Sequence, residues 1–295
     1  MGKKGKRTAR LNEGKKKEDA RSAVIAKFER LALTFKNDKI CDTDLFAPPS
    51  PRPECPICML TMPLRAAECV VMSCCGNLIC YACREEQLQV CKETNEKNVT
   101  RRRPLMKVTC AFCREPAPSN ETEVILRLRK RADNNDPRAL HQMAILHGDG
   151  TCGFQKDELK ALEFTHRAAE LGSTEACIDI AIRYGDVAKD EWKKRIFLQV
   201  AAINGHAYAR QSLGVLEYRS NQRESSMRHF RISAAVGCEI SLNILKGEYA
   251  AGKLSKDELA SVLRAFQTSQ DEMKSEARDR WAAAKENVID GPRHY

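Results

Sequence analysis

The stretch that decides the fold of the first part of this chain spans residues 55–83 and reads CPICMLTMPLRAAECVVMSCCGNLICYAC. With the later CAFC, it supplies four cysteine pairs: Cys55 and Cys58, Cys74 and Cys75, Cys80 and Cys83, Cys110 and Cys113. A Cys-x-x-Cys turn places two thiolates on one side, where both can reach one tetrahedral Zn²⁺ at about 2.3 Å. Eight thiolates are enough for two closed sites, which stabilise structure and leave no position for a reactive water. The pattern therefore predicts two structural zinc ions.

The composition favours a cytoplasmic or nuclear protein of about two domains. The chain has 295 residues, 31% of them charged, with a net charge of +10. No run approaches the roughly 20 apolar residues that a membrane helix requires, so we expect no membrane association. The first residues lack the apolar core of a secretory signal, and Lys6 replaces the Ser or Thr of a myristoylation motif. Fourteen cysteines in such a chain indicate reduced or metal-bound thiols, with a disulfide framework as the alternative.

The amino-terminal segment is strongly basic. Residues 1–17 contain eight Lys or Arg residues and one acid, Glu13, and so carry +7 of the net charge. We expect a disordered tail, because such a run cannot bury a core. A nuclear-localisation or nucleic-acid-binding arm is one interpretation. A solubilising tail is the favoured one, since no aromatic residues interleave with the basic residues to stack on bases.

Changes in composition predict the remaining boundaries. An amphipathic helix is expected over 18–40, followed by a Pro-rich linker over 41–53 and the zinc module over 54–117. A connecting helix occupies 118–134, where Ser119 or Asn120 can cap it. Repeats fill 135–255, a capping helix fills 256–287 and a tail ends the chain at 288–295. The apolar face of the first helix is predicted to contain Ala20, Val24, Ile25, Phe28, Leu31 and Leu33.

A short phrase recurs in the second half of the chain. Ala168-Ala-Glu-Leu-Gly172, Ala201-Ala-Ile-Asn-Gly205 and Ser233-Ala-Ala-Val-Gly237 place their glycines 33 and 32 residues apart. Asn135 begins the same phrase one unit earlier. This period is typical of helix-turn-helix solenoids. Small Ala lets paired helices approach closely, and Gly at a helix end adopts the left-handed turn that reverses the chain.

This phrase resembles Sel-one-like repeats, a branch of the tetratricopeptide class. The first repeat matches the family at Ala139, Met143, Ala144, Gly150, Lys160, Ala161, Ala169 and Gly172. Later repeats match the family less well, since Val187 and Ser220 stand where the first repeat has Gly150. The resemblance implies three clear hairpins and a degenerate fourth. Together these repeats would form a concave face that binds a protein substrate or partner. An ordinary helical bundle is the alternative.

The cysteine pattern resembles a RING finger over residues 55–116. The resemblance implies a cross-brace: Cys55, Cys58, Cys80 and Cys83 hold one zinc, while Cys110 and Cys113 hold the other with Cys74, Cys75 or both. The family usually has a His where this chain has Asn77, and the first histidine is His141. Either both adjacent cysteines are ligands, with Gly76 relieving the turn, or Asn77 leaves a weaker site of three thiolates. Cys69 is a third candidate, although its spacing from Cys74 does not match a Cys-x-x-Cys turn, or knuckle.

Charge balance gives a further expectation. Eight thiolates (−8) and two zinc ions (+4) leave −4, which requires hydrogen-bond donors and cations nearby. Candidates in the insert before the last pair are Lys92, Lys97, Arg101, Arg102, Arg103 and Lys107. A nucleic-acid patch and a solvated loop are the alternatives, of which the solvated loop is favoured.

The RING resemblance implies ubiquitin ligation by binding alone. Such a protein docks a charged ubiquitin-conjugating enzyme and forms no covalent intermediate itself. Ile57 stands at the family's apolar contact, Arg114 at its bridging basic position, and Leu88 can complete the groove; Ala111 replaces a frequent Pro. A non-catalytic scaffold stabilised by zinc and a nucleic-acid-associated protein using residues 1–17 remain open. The six histidines are scattered through the helical half and predict no catalytic site.

The fold class predicted from these patterns is mostly α. A small two-zinc cross-brace domain of RING type is followed by an α-solenoid of helix-turn-helix repeats. The expected partners are a ubiquitin-conjugating enzyme and a protein bound to the repeats.

Overall fold

The structure is a computed structural model, and it describes residues 2–37, 40, 42–48, 51–186 and 189–286. Val187 and the predicted tail over 288–295 lie outside these residues. Helices dominate the described chain, which confirms the predicted fold class. Within the described residues, no helix combines the length and apolar character needed to cross a bilayer.

The helices are α1 (Gly2–Asn37), α2 (Asp42–Leu45), α3 (Tyr81–Thr100), α4 (Glu121–Asp133), α5 (Pro137–Asp149), α6 (Glu158–Glu170), α7 (Thr174–Asp186), α8 (Glu191–Ile203), α9 (Ala207–Arg219), α10 (Arg223–Ala235), α11 (Glu239–Ala250), α12 (Lys256–Asp271) and α13 (Glu276–Glu286). Strands β1 (Cys69–Val71) and β2 (Leu78–Cys80) form an antiparallel ladder that pairs Cys69 with Cys80. Helices α4 to α10 are each 13 residues long, as expected of a repeating unit.

The chain divides into two compact units, each assembled from two separate segments. The first unit combines the described residues of 1–47 with those of 128–209. The second combines the described residues of 48–127 with those of 210–295. The cysteine module (residues 54–117) therefore belongs to the same unit as the carboxy-terminal helices.

In the first unit, helix α1 packs against α6 and α8. Its buried residues Val24, Phe28, Leu31 and Ala32 follow the i, i+4, i+7, i+8 spacing of one helix face. Phe28 lies edge-on to His166, with ring centroids 5.2 Å apart. Lys193 on α8 donates to Glu29 at 2.8 Å. These contacts hold the first helix on the repeats.

Helix α1 differs from its prediction in two respects. It extends from Gly2 to Asn37, so residues 2–17, for which no order was expected, continue the helix. Lys, Arg, Ala and Leu are all good helix formers, which local charge counting does not weigh. Ile25 and Leu33 are 41% and 49% exposed and lie off the apolar face, because Ala32 takes the place assigned to Leu33.

The predicted turn glycines close the helices as expected. Gly172, Gly205 and Gly237 have φ of 87°, 86° and 103°. In each case the next residue donates its N–H to the carbonyl five residues earlier, as Ser173 does to Ala168 at 2.9 Å. This bond and the glycine's own bond to the carbonyl three residues back form a Schellman motif. Asn135 makes the same closure with φ of 59°, so it starts the series as predicted.

Small residues let paired helices approach closely. In the first unit, α5 packs on α6 and α7 on α8, with Ala139, Ala168, Ala176 and Ala201 all fully buried. In the second unit, a Cβ placed on Gly214 would lie 2.7 Å from the ring of Phe230, so no larger residue fits there without displacement. Ser226 donates to the Gly214 carbonyl at 2.7 Å.

The carboxy-terminal segment of the second unit contains two helices where one was predicted. Helix α12 begins with a capping box formed by Ser255 and Glu258 and packs on α10 and α11. Val262 is buried in a core with Phe230 and Leu245. The chain breaks after Asp271 and starts again as α13 at Glu276, with the Ser275 hydroxyl accepting from the Arg278 N–H at 3.2 Å. This break directs α13 onto α3 rather than along the repeats.

Candidate metal centres

The eight cysteines of the pattern lie in two groups of four. The first cluster contains Cys55, Cys58, Cys80 and Cys83, and the second contains Cys74, Cys75, Cys110 and Cys113. Within each cluster, all Sγ atoms lie within 4.8 Å of one another. The pairs alternate between the clusters along the chain, and this alternation is what defines a cross-brace.

The donor sets fit zinc. For Zn–S bonds of about 2.3 Å, the edge of the sulfur tetrahedron is about 3.8 Å. The Sγ atoms of Cys58 and Cys80 are 3.9 Å apart, and those of Cys75 and Cys110 are 3.7 Å apart. Four thiolates in this arrangement favour a tetrahedral, soft-binding ion and leave no open coordination position.

The Cys55–Cys58 and Cys110–Cys113 knuckles have the same backbone. Met59 donates its N–H to the Cys55 carbonyl at 2.8 Å, and Arg114 donates to Cys110 at 3.0 Å. In return, Cys55 donates to Leu60 and Cys110 to Glu115, each at 2.8 Å. Met59 and Arg114 are left-handed, with φ of 59° and 61°. Met59 is thus the counterpart of Arg114, a relation already present in the shared Cys-x-x-Cys-x spacing but not used in the sequence analysis.

Backbone donors favour the thiolate at Cys55 and at Cys110, the first cysteines of these two knuckles. Burial raises the pKa of Cys55, but hydrogen bonds from the backbone of Cys58, Cys80 and Ile57 outweigh it and bring the pKa to about 7. At Cys110, burial is likewise outweighed by the backbone of Cys113 and Phe112, and its pKa is also about 7. The thiolate is the form that binds metal.

Both adjacent cysteines, Cys74 and Cys75, point into the second cluster. Gly76 has φ of 78°, the left-handed conformation that the tight turn requires. Asn77 donates its side-chain N–H to the Cys75 Sγ at 3.3 Å. Asn77, where a RING finger would have His, therefore donates to one of the four clustered sulfurs and is not itself grouped with them.

The two other cysteines near this region have different surroundings. Cys69 donates to the Pro63 carbonyl at 3.7 Å, and burial raises the pKa of its thiol to about 12. Cys91 is buried on α3 and donates to the Met106 carbonyl at 3.4 Å. Both thiols donate to backbone carbonyls and lie outside the two clusters.

The three residues assigned to contact with a conjugating enzyme all reach the surface of the second unit. Ile57 is 40% exposed although it lies between two cysteines, so it is not a core residue. Arg114 is exposed, and Leu88 is half-buried on α3. Met59 is 66% exposed beside Ile57 and enlarges this apolar surface.

The cation nearest the sulfurs is one that the sequence analysis did not name. Arg278 of α13 donates to the Cys58 Sγ at 3.5 Å. The six basic residues of the insert are all exposed, but Lys92 and Lys97 lie on α3, so the predicted solvated loop covers only Arg101, Arg102, Arg103 and Lys107. Within the described residues, none of those six donates a hydrogen bond to a cysteine. No sequence signal links Arg278 to Cys58, because 220 residues separate them.

Comparison with known proteins gives limited similarities. No family model and no curated protein matches the chain. Among solved structures, a Sel1 repeat protein from Oxalobacter formigenes is 27% identical over 53% of this chain and 67% of its own, with a TM-score of 0.44. A protective antigen of uropathogenic Escherichia coli with an SLR fold is 17% identical over 63% of this chain and 47% of its own, with a TM-score of 0.40. An immunity protein from Pseudomonas aeruginosa is 17% identical over 53% of this chain and 79% of its own, with a TM-score of 0.33. At these TM-scores the similarities carry no functional argument, and the repeat architecture rests on the helix pairs described above.

Proposed function

We propose that this protein is a zinc-containing ubiquitin ligase of RING type whose helical repeats bind a protein partner. The observation that carries the proposal is the pair of interleaved cysteine clusters with Ile57 and Arg114 exposed at their two knuckles. Ile57 and Met59 offer an apolar contact at the first knuckle. Arg114, at the second knuckle, offers a planar guanidinium that can donate to two proteins at once.

In this proposal, zinc fixes the two knuckles and takes no part in the reaction. The chain docks a ubiquitin-conjugating enzyme through Ile57 and Leu88, and Arg114 donates hydrogen bonds to the enzyme and its ubiquitin. Holding the thioester in one reactive orientation accelerates transfer because it removes rotational freedom before the reaction. Donors aligned at the thioester assembly would add electrostatic stabilisation.

The test is autoubiquitination by the full chain with a panel of conjugating enzymes. Ile57→Ala and Arg114→Ala should each reduce chain formation by roughly tenfold or more, the loss of about 1.4 kcal/mol or more of binding energy. Val90→Ala and Lys107→Ala are matched controls, since both side chains are exposed in the same module but outside the proposed contact. Equal activity in all four variants would contradict the assignment.

A scaffold without ligase activity is the second candidate, and the exposed apolar side chains of the repeats favour it. On α11 of the second unit, Ile240 and Tyr249 are 50% and 41% exposed. Exposed apolar groups on a repeat surface are typical of protein-binding sites. A chain that retains two zinc ions but forms no ubiquitin chains with any conjugating enzyme would be such a scaffold.

The basic segment supports only a minor proposal, that residues 1–17 bind nucleic acid. Its support is the charge of +7. Binding to mixed nucleic acid should fall steeply with salt and disappear when residues 2–17 are deleted. No change on deletion would leave the segment as a solubilising extension of α1. We place the protein in the cytoplasm or nucleus, where free thiols stay reduced.

A further inference from the structure

Helix α13 inserts Arg278 beside the first cysteine cluster. Its guanidinium donates to the Thr61 carbonyl at 2.7 Å, the Leu60 carbonyl at 3.4 Å and the Cys58 Sγ at 3.5 Å. It also donates to the Met273 carbonyl at 2.8 Å, in the turn before its own helix. One side chain thus joins the first knuckle to the carboxy-terminal helices.

The rest of α13 packs on the same module. Ala277 and Trp281 contact the core that contains Cys55, Cys80 and Cys83 of the first cluster and Cys110 of the second. Trp281 lies against Tyr81, with ring centroids 5.0 Å apart. These contacts bury one face of α13 on the metal-binding core, so Arg278 is held in place and is not a free surface cation.

A second arginine anchors the same junction from the opposite direction. Arg52, just before the first knuckle, donates to the Ser269 hydroxyl at 2.9 Å and to the Met273 Sδ at 3.1 Å. It also donates to the Met62 carbonyl at 3.1 Å. Arg52 thus bonds from the module to α12 and the turn that follows it, and Arg278 bonds from α13 back to the module.

Charge explains why an arginine suits this position. A zinc ion with four thiolates carries −2, and donors or cations around the sulfurs lower the energy of that charge. The Arg278 guanidinium supplies a positive charge and a fork of donors that reaches a sulfur and two carbonyls together. Charge-assisted hydrogen bonds of this kind are about twice as strong as neutral ones.

We propose that Arg278 couples metal retention at the first cluster to the docking of α13, and so positions the knuckle that carries Ile57. The inference rests on the zinc-binding part of the proposed function and not on ligase activity. Coupling between two sites is reciprocal. Removal of zinc should therefore loosen α13, and loss of the Arg278 contacts should weaken zinc binding. We expect the weaker binding to appear mainly as faster release of zinc.

The experiment compares the zinc-loaded full chain with Arg278→Gln, Arg278→Lys and Arg280→Gln. Arg280 is the matched control, because it lies on the same helix, is 72% exposed and, within the described part of the chain, pairs only with exposed Glu86. Zinc release to a chromogenic chelator and hydrogen exchange over residues 55–62 and 276–286 are measured. We expect Arg278→Gln to release zinc roughly tenfold faster, equivalent to about 1.4 kcal/mol, with Arg278→Lys between it and the wild type.

The outcomes separate this inference from the proposed function. Equal release and equal exchange in Arg278→Gln, Arg278→Lys and Arg280→Gln would overturn the coupling. If Arg278→Gln does not fold, Arg278→Lys alone decides, because it keeps the charge and loses the fork. A wild-type chain without zinc would overturn both proposals. Fast release in Arg278→Gln together with no ubiquitin-chain formation by the wild type would support the coupling and overturn the ligase.

Discussion

The two cysteine clusters have the same knuckle backbone but very different surroundings. In the first cluster, Cys55, Cys80 and Cys83 are buried, and α13 adds Arg278 from the far end of the chain. In the second, Cys113 is exposed and the added donor is Asn77, two residues from a ligand. Tertiary structure supports the first cluster, whereas local sequence supports the second. The Cys55–Cys58 and Cys110–Cys113 knuckles share one backbone conformation, yet we expect their two sites to differ in robustness because their surroundings differ.

The largest expected effect is that of Cys80→Ser in the first cluster. The change removes a ligand in the core of the module, so we expect one zinc to be lost and the free energy of unfolding to fall by on the order of 4 kcal/mol. Zinc content and thermal unfolding measure both. Cys91→Ser is the matched control, because Cys91 is equally buried but outside the clusters. A similar loss in the control would show that burial alone matters.

Cys75→Ser should have a smaller effect, although it also removes a ligand. Its cluster lies nearer the surface, and Arg278 donates to the other one, so we expect about 2 kcal/mol and the loss of only the second zinc. Hydrogen exchange over residues 276–286 should stay as in the wild type. Faster exchange there would show that the clusters are not independent. Retention of both zinc ions would show that Cys75 is not a ligand.

Chelation of the unmodified protein should separate the clusters in time. We expect two phases, with the second cluster losing metal roughly tenfold faster, equivalent to about 1.4 kcal/mol in barrier. Exposed Cys113 gives a chelator direct access to that site. Hydrogen exchange at residues 55–62 and 110–116, sampled during the reaction, assigns each phase. A single phase, or metal loss that is detected at residues 55–62 before residues 110–116, would contradict the expected difference between the clusters.

Asn77 tests the local support of the second cluster. Asn77→Ala removes the donor to Cys75 and should weaken zinc binding by about 0.5–1 kcal/mol, while Asn77→Asp should cost more because a carboxylate then faces the thiolate. Competition with a chelator of known affinity measures both. The order of the two variants in zinc affinity is more informative than the size of either change. If the Asp and Ala variants bind zinc equally well, the side chain does not interact with the sulfur.

The smallest effect tests whether the two knuckles share one backbone. Met59→Gly and Arg114→Gly each place glycine at a left-handed position, which relieves about 1 kcal/mol of strain but adds a similar entropy to the unfolded chain. We expect changes in unfolding free energy of no more than about 0.5 kcal/mol, with the same sign at both positions. Chemical denaturation measures them. Opposite signs would mean that the knuckles differ in conformation.

Sequence patterns were most informative where the physics is local. The glycine phrase predicted left-handed turns at Gly172, Gly205 and Gly237, and all three are present, because a helix end is decided by its own few residues. Patterns were least informative where contacts with segments distant in the sequence decide which residues become ordered or buried. Residues 2–17 lie in α1 although their charge predicted no order, and Ile25 is exposed because the partner helices select a different face.

The sequence by itself determined the spacing of the eight cysteines and the helical repeat, because ligand spacing and turn chemistry are local properties. The grouping of the cysteine pairs into two interleaved clusters was implied only by the RING resemblance. Only the tertiary structure decided which cation faces a thiolate. The insert beside the last pair contains six basic residues, yet the donor to Cys58 is Arg278, placed there by the break before α13 and the packing of half-buried Trp281 on the core. Long-range packing of this kind leaves no periodic trace in a single sequence, since it depends on where a helix ends and which apolar face it buries.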